Sequence, residues 1–142
     1  MTLLDVNILI YAASPESPFH ARTSAWLERL SASGDLIGLP WHSLAGLIRI
    51  STDPRLTRNP RNPTEVFQNV RDWLSQPGVV PINPGPLHLN LLERMVVEAR
   101  VAAPRISDAV LAALAIENGA TLASTDRDFS RFPGLKWVNP LD

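Results

Sequence analysis

Short apolar runs alternate with longer amphipathic segments along nearly the whole chain, and this alternation limits the folds open to it. Parallel strands that follow one another need a crossover connection, which is usually a helix. The runs that we interpret as strands are residues 3–5, 36–39, 79–82, 121–124 and 136–138. The pattern predicts an α/β fold, a three-layer sandwich in which helices cover both faces of a mainly parallel sheet.

Helices are predicted between these strands from apolar periodicity and from residues typical of helix ends. They are residues 17–30, beginning at Ser17-Pro18; 40–51, with Pro40 in the first turn; 64–73, capped by Thr64; 87–101; and 107–117, closed by Asn118-Gly119. Asn7 begins a further helical turn, and residues 53–63 are predicted to be a loop. A single domain over residues 1–142 is the simplest expectation for this length.

Composition excludes several classes of protein. The chain has no cysteine, so a disulfide framework, a cysteine zinc site and a thiol nucleophile are impossible. A net charge of −1 argues against a strongly basic nucleic-acid binder but leaves local arginine clusters open. The first residues lack the pattern of a signal peptide, and no apolar stretch approaches the roughly 18 residues of a membrane span. We therefore expect a cytoplasmic protein without a membrane span.

Asp5 is the one carboxylate in the apolar run of residues 3–11. Burying an isolated carboxylate costs free energy, so the group must lose its charge, cap a helix or pair with a cation. One interpretation is a cap for the turn that follows the strand. The other is a metal ligand, with Asn7 as the polar neighbour that orients it or a bound water. Both remain open at this stage.

Two later segments carry further acids. Asp108 opens a helix on the face that also carries Leu111, Ala112 and Ala115, although an acid in a first helical turn is favoured by the helix dipole alone. Asp126 and Asp128 follow the strand at 121–124. They either form a simple turn or extend an acidic cluster. In the second case Thr125 supplies a hydroxyl, and Asp128 is a fourth acid or the cap of the next turn.

The order of these acids suggests a common site. Residues that follow parallel strands meet at one edge of the sheet, so we expect Asp5, Asp108 and Asp126 to converge. Neighbouring carboxylates repel one another unless a divalent cation neutralises them. Oxygen ligands favour Mg²⁺ or Mn²⁺, and carboxylate-held magnesium recurs in enzymes that cleave phosphodiesters.

The chain resembles the PIN domain family, specifically the VapC toxins of type II toxin–antitoxin systems. The resemblance rests on residues 4–10 (LDVNILI), 107–115 (SDAVLAALA), 119–129 (GATLASTDRDF) and 132–141 (FPGLKWVNPL). It implies a PIN-like fold, a magnesium-dependent endoribonuclease that attacks tRNA or rRNA, a VapB-like antitoxin that inhibits it, and a homodimer. The resemblance also implies that Asp5 and Asp108 are metal ligands, Asp126 a third acid and Asn7 their polar neighbour.

The chain departs from the family at one position. The family usually has a further acid, mostly Glu, in the helix after the second strand, and residues 40–52 contain neither Asp nor Glu. Gly46 and His42 lie one helical turn apart on one face, so either could stand at that position. His42 is a possible substitute ligand, or Asp128 compensates. The missing acid predicts weaker metal affinity.

Other residues are candidates for binding partners. Arg49, Arg105 and Arg127 could grip RNA phosphates, although each could equally be a solvated surface charge. Acids in an open groove also favour a peptide that carries Arg together with an amphipathic helix, as an antitoxin would present. Trp41 and the helix at 40–51 are expected to form part of that groove.

Three other functions can be compared with the sequence. A catalytically weak PIN protein that acts by binding RNA or its antitoxin is consistent with the missing acid. A haloacid-dehalogenase-type phosphatase requires a second Asp two residues after the nucleophile, where this chain has Asn7. A Ser-His-Asp hydrolase is not supported, because the chain lacks the Gly-x-Ser-x-Gly elbow.

Overall fold

The computed structural model describes all residues 1–142. Its strands are β1 Thr2–Leu4, β2 Ile37–Pro40, β3 Val79–Ile82, β4 Thr121–Ala123 and β5 Lys136–Val138. Its helices are α1 Val6–Ala13, α2 His20–Ala32, α3 Trp41–Thr52, α4 Pro63–Leu74, α5 His88–Glu98 and α6 Ile106–Glu117. Two 3₁₀-helices, Ala103–Arg105 and Arg127–Arg131, precede α6 and follow β4. No helix is long and apolar enough to cross a membrane.

The five strands form one sheet in the order β3-β2-β1-β4-β5, and all pairs are parallel. The first strand of the chain therefore lies at the centre of the sheet. All five strands end at the same side, which we call the carboxyl edge. This arrangement confirms the predicted α/β sandwich with its parallel sheet.

The two faces of the sheet are buried by different helices. Successive side chains of a strand point to opposite faces. Leu3 and Leu122 accordingly belong to the core beneath α5 and α6, whereas Leu4 and Ala123 belong to the core beneath α1 to α4. Burying each leucine stabilises the fold by about 1.5–3 kcal/mol. Strands buried on both faces explain why the sequence shows nearly continuous apolar runs.

Gly38 allows the central strands to pack on the α5–α6 face. A Cβ atom at this position would overlap the Leu3 side chain and lie 2.9 Å from Cγ1 of Ile82. Both neighbours belong to strands that pair with β2. A hydrogen atom is therefore the largest substituent that fits here without displacing core side chains.

Two predicted helix starts were wrong. Helix α2 begins at His20 rather than Ser17, because Ser17 forms a turn in which its carbonyl accepts a hydrogen bond from the His20 amide at 3.1 Å. Helix α4 is capped by Asn62 rather than Thr64: the Asn62 side chain accepts from the Thr64 amide at 2.9 Å. Pro63 fills the first helical position, where no amide hydrogen is needed.

The observed helix ends match the predicted ends to different degrees. Helix α6 closes at Asn118-Gly119 as predicted, with Gly119 in the left-handed region at φ 59°. Helix α5 is shorter than predicted and ends at Glu98, and Arg100 soon afterwards has φ 51°. Helix α2 ends at Ala32, two residues later than predicted. The remaining strand and helix bounds differ from the predicted ones by one residue or agree with them.

Candidate functional site

Asp5 lies at the carboxyl edge, directly after β1. Its amide donates to the Ala123 carbonyl at 3.0 Å, which extends the pairing with β4 by one residue. Its Oδ1 accepts from the Val6 amide at 2.7 Å and so caps α1. The side chain is only 6% exposed. The predicted cap is thus confirmed, and it occupies one carboxylate oxygen only.

The other Asp5 oxygen belongs to a hydrogen-bond network centred on Ser124. The Ser124 hydroxyl donates to Asp5 Oδ2 at 2.6 Å and accepts from the Asn7 side-chain amide at 3.2 Å and the Asp126 backbone amide at 3.0 Å. Asn7 also donates to Asp5 Oδ2 at 3.1 Å. With one donor and two acceptor positions in use, the hydroxyl is fully satisfied. Asp5 is consequently held in one orientation.

Ser124 is the site residue that the sequence analysis missed. It is completely buried, yet a serine after a strand is also typical of a simple turn. The signal was the parallel register, which pairs Leu4 with Ala123 and therefore sets Asp5 beside Ser124. That register could be found only once β1 and β4 were known to be neighbours.

Asp108 and Asp126 reach the same edge from two other elements. Asp108 stands in the first turn of α6, with its side chain 22% exposed. Asp126 precedes the second 3₁₀-helix, and its Oδ1 accepts from the Asp128 amide at 2.9 Å. Asp126, not Asp128, therefore caps this turn. Asp5, Asp108, Asp126 and Asp128 together are called the acidic cluster below.

Arg105 lies among the outer members of the acidic cluster. Its Nη1 is 3.3 Å from Asp108 Oδ2 and 3.6 Å from Asp126 Oδ2, and it also contacts Asp128 Oδ2. Arg105 ends the 3₁₀-helix that leads into α6, which places it three residues before Asp108. The sequence analysis identified Arg105 as a phosphate-binding candidate but not as an ion-pair partner of these acids.

The electrostatics identify a site that favours cations. Burial raises the pKa of Asp5 above its ordinary value of 3.8, against the opposing effect of the Ser124 hydrogen bond, and the charges of Asp108 and Asp126 raise it further. Burial and the Asp126 charge likewise raise the pKa of Asp108, whereas Arg105 opposes this shift. Asp108 and Asp126 thus lie near enough to Asp5 for their charges to act on it, and a nearby positive charge would stabilise the ionised form of each carboxylate.

The donor set suits a hard divalent ion such as Mg²⁺ or Mn²⁺, because it consists of carboxylates supported by an amide and a hydroxyl. No three acidic or histidine side chains of the structure surround a common point as metal ligands would. The Arg105 guanidinium supplies the positive charge between Asp108, Asp126 and Asp128. The chemistry of the donor atoms thus fits a divalent ion, and Arg105 lies where such an ion would contact the outer acids.

Other predicted residues lie apart from the acidic cluster or contribute differently. Thr125 contacts the network through its backbone amide, 3.4 Å from Asn7 Oδ1, rather than through its hydroxyl. His42 is exposed on α3. A Cβ at Gly46 would lie 3.0 Å from Cγ2 of Val6, the residue after Asp5, so position 46 faces the site more closely.

The remaining two predicted arginines do not contact the acids of the cluster. Arg127 instead pairs with Asp142 at 2.7 Å. Arg49 is exposed on α3. The hydrogen bonds from Arg55 lower the pKa of Asp53, and the charge of Arg49 adds a smaller effect in the same direction. A cavity of about 440 Å³ is lined mainly by apolar side chains that include Leu27 and Trp73, and by none of the acidic cluster.

This combination of fold and acids is that of a PIN domain, and the PIN domain family model matches residues 2–135. Ribonuclease VapC43 of Mycobacterium tuberculosis (strain ATCC 25618 / H37Rv) is 38% identical over 142 residues, which cover 100% of this chain and 97% of the relative. Ribonuclease VapC37 of the same strain is 35% identical over 140 residues, 99% of this chain and 97% of the relative. The chain belongs to the PIN domain family and, within it, to the VapC ribonucleases.

A solved structure shares the fold. A chain in the crystal structure of VapBC2 from Rickettsia felis, bound to a DNA fragment from their promoter, superposes with a TM-score of 0.72. The match covers 97% of each chain at 20% sequence identity. At that identity the similarity concerns the arrangement of the helices and strands.

Proposed function

We propose that this protein is a metal-dependent endoribonuclease toxin that cleaves tRNA or rRNA in the cytoplasm. Asp5, Asp108 and Asp126 would hold Mg²⁺ or Mn²⁺, and Asp128 would be a fourth acid at the exposed rim. The observation that carries the proposal is the carboxyl-edge cluster in which three carboxylates hold a positively charged group. The ribonuclease names of relatives that match along the whole chain support it.

The bound metal would activate a water molecule and stabilise the leaving oxygen of the phosphodiester. The chain's own residues prepare that chemistry. Ser124 and Asn7 orient the Asp5 carboxylate through Oδ2, as partners of metal ligands generally do. Asp126 adopts its position because its backbone amide bonds to Ser124 and its side chain caps the following turn. Arg105 and Arg49 would supply positive charge for RNA phosphates.

A VapB-like antitoxin is the proposed protein partner, and a homodimer the proposed state of the free toxin. The acidic cluster already holds one guanidinium group, so it would also accept an arginine from an antitoxin peptide. Trp41 at the start of α3 is 47% exposed and would contact an amphipathic antitoxin helix. Light scattering after size-exclusion chromatography should show a dimer that forms a larger complex with the neighbouring gene product, and a monomer that ignores this product would contradict both statements.

Cleavage assays test the nuclease proposal. Purified protein should cut a tRNA or rRNA fragment when Mg²⁺ or Mn²⁺ is added and stop when EDTA is added. Asp5→Asn should abolish the cleavage, because the amide cannot supply the negative charge that retains the metal. Asp72→Asn on the exposed surface of α4 is the matched control and should cut like the parent. Metal-independent cleavage, or full activity of Asp5→Asn, would overturn the proposal.

A catalytically weak PIN protein is the second candidate function. The observation that favours it is the vacant acid position, since Gly46 faces Val6 beside Asp5 and adds no carboxylate. In that case RNA or the antitoxin binds, but no RNA is cut at any metal concentration. Cleavage by Gly46→Glu but not by the parent would establish this alternative.

A further inference from the structure

Arg105 is the only lysine or arginine that pairs with the acidic cluster. All three contacts are made by one nitrogen, Nη1, rather than by the paired fork that gives arginine–carboxylate bonds their specificity. The guanidinium thus acts here as a point charge between three carboxylates. The guanidinium forms no ion pair with Asp5, whose carboxylate oxygens accept hydrogen bonds from Val6, Asn7 and Ser124.

The position of Arg105 allows it to leave. Its side chain is 42% exposed and makes no other ion pair or hydrogen bond. Asp126 and Asp128 are each 40% exposed. Ion pairs between partly exposed side chains contribute little to stability. Swinging the guanidinium into solvent therefore breaks only weak contacts.

We infer that Arg105 is a displaceable counterion, which neutralises the acidic cluster when no metal is bound and leaves it when a divalent ion binds. The inference rests on the proposed function of the cluster as a metal site. A guanidinium and a metal ion require the same oxygens of Asp108 and Asp126, so the two cannot be held together. Arg105 consequently lowers the apparent metal affinity. After leaving, it stays at the rim, where an RNA phosphate would be its next partner.

Calorimetric titration of the full chain with Mn²⁺ tests this competition. Arg105→Gln should bind Mn²⁺ up to about tenfold more tightly than the parent, because the ion no longer breaks ion pairs on entry. Arg127→Gln is the matched control: it removes the same charge from a neighbouring position, but Arg127 pairs with Asp142. Its affinity should equal that of the parent. In EDTA, Arg105→Gln should also melt at a lower temperature, since the acids then repel one another unopposed.

The parent protein offers a second readout that requires no variant. The Nε–H resonance of Arg105 in a ¹⁵N-correlated spectrum should shift on saturation with Mg²⁺, whereas that of Arg127 should stay in place. An unshifted Arg105 resonance in metal-saturated protein would overturn the inference.

The calorimetric outcomes also separate the inference from the proposed function. If the parent binds Mn²⁺ and Arg105→Gln binds equally or more weakly, Arg105 is not a competitor and the metal site stands. An equal gain in Arg127→Gln would mean a general charge effect and would likewise overturn the inference. If neither the parent nor Arg105→Gln binds Mn²⁺, the metal site itself is refuted. Binding by the variant alone would support both.

Discussion

The acidic cluster and its hydrogen-bond partners form two halves that are built differently. The inner half, Asp5 with Asn7 and Ser124, is buried and joined by short hydrogen bonds between residues that follow neighbouring central strands. The outer half, Asp108 with Asp126 and Asp128, comes from a helix start and a 3₁₀ turn and is joined by the ion pairs of Arg105.

The difference indicates which half is fixed and which can rearrange. Breaking the inner half would leave buried polar groups unsatisfied, at about 1–3 kcal/mol for each group. The outer half is more exposed, with Asp108 at 22% and Asp126 and Asp128 at 40% each, and its ion pairs are exchanged for solvent at little cost. A site of this construction keeps one carboxylate in a constant position while its other ligands adapt to whichever cation is present.

Ser124→Ala should have the largest effect, because it removes the centre of the inner network. Loss of a group that orients a metal ligand typically lowers metal affinity or activity by about 10–100-fold. We expect a loss in this range for both Mn²⁺ affinity and RNA cleavage. Thr125→Val is the matched control, since the Thr125 hydroxyl makes no hydrogen bond, and it should behave like the parent. Equal losses in both variants would contradict the fixed inner half.

Gly46→Glu should have the next largest effect by adding a carboxylate next to the inner half. The new side chain starts 3.0 Å from Cγ2 of Val6, so Val6 must yield by a few tenths of an ångström. We expect cleavage to need severalfold less Mg²⁺, and Glu also favours a helix more than Gly does. His42→Glu, on an exposed position of α3, should leave the requirement unchanged. If His42→Glu lowers it instead, His42 marks the family's acid position.

The pH dependence of stability should show a smaller effect, to which one acid of each half contributes. The pKa values of Asp5 and Asp108 are raised in the folded protein, so the folded state binds more protons than the unfolded state above the ordinary value of 3.8. The free energy of unfolding in EDTA should therefore fall as the pH rises from about 4 through the raised pKa values. Thermal melts of Asp108→Asn should show a shallower fall. A steeper fall in this variant would contradict the assignment.

Arg127→Gln should have the smallest effect on stability. Its ion pair with Asp142 is exposed, with the two side chains 70% and 54% accessible. Such pairs change the free energy of unfolding by about 0.5 kcal/mol or less. Urea denaturation should confirm this value. A larger loss would mean that the chain end supports the outer half through this pair.

The sequence predicted the fold more completely than the site. Alternating apolar runs identified all five strands, because the hydrophobic pattern is local. The central position of β1 was not predicted, since it depends on pairing between residues about 120 positions apart, such as Leu3 with Leu122. The role of Ser124 follows from that pairing and was missed for the same reason. Asp5, Asp108 and Asp126 were selected as candidates because their chain order matches a family pattern, and their role remains a prediction.

The contacts of the Arg105 side chain could not be predicted either, and the reason is different. It depends on where a flexible side chain settles among several acids, and neither periodicity nor spacing reports this. The Asn62 cap was missed because Asn62 and Thr64 are both good capping residues, and only the position of Pro63 decides between them. The errors thus concern side-chain partners and the ends of some helices, whereas the layers of the sandwich were predicted correctly.

The central position of β1 has a consequence for the synthesis of this protein. Asp5 leaves the ribosome 119 residues before Ser124, the residue after β4 that holds it in place. Pairing between such distant segments must wait until both are present, and it forms slowly. A growing chain of this protein therefore has no assembled acidic cluster until β4 has been translated. A ribonuclease ordered in this way acquires its site only after the segment that carries Ser124 has left the ribosome.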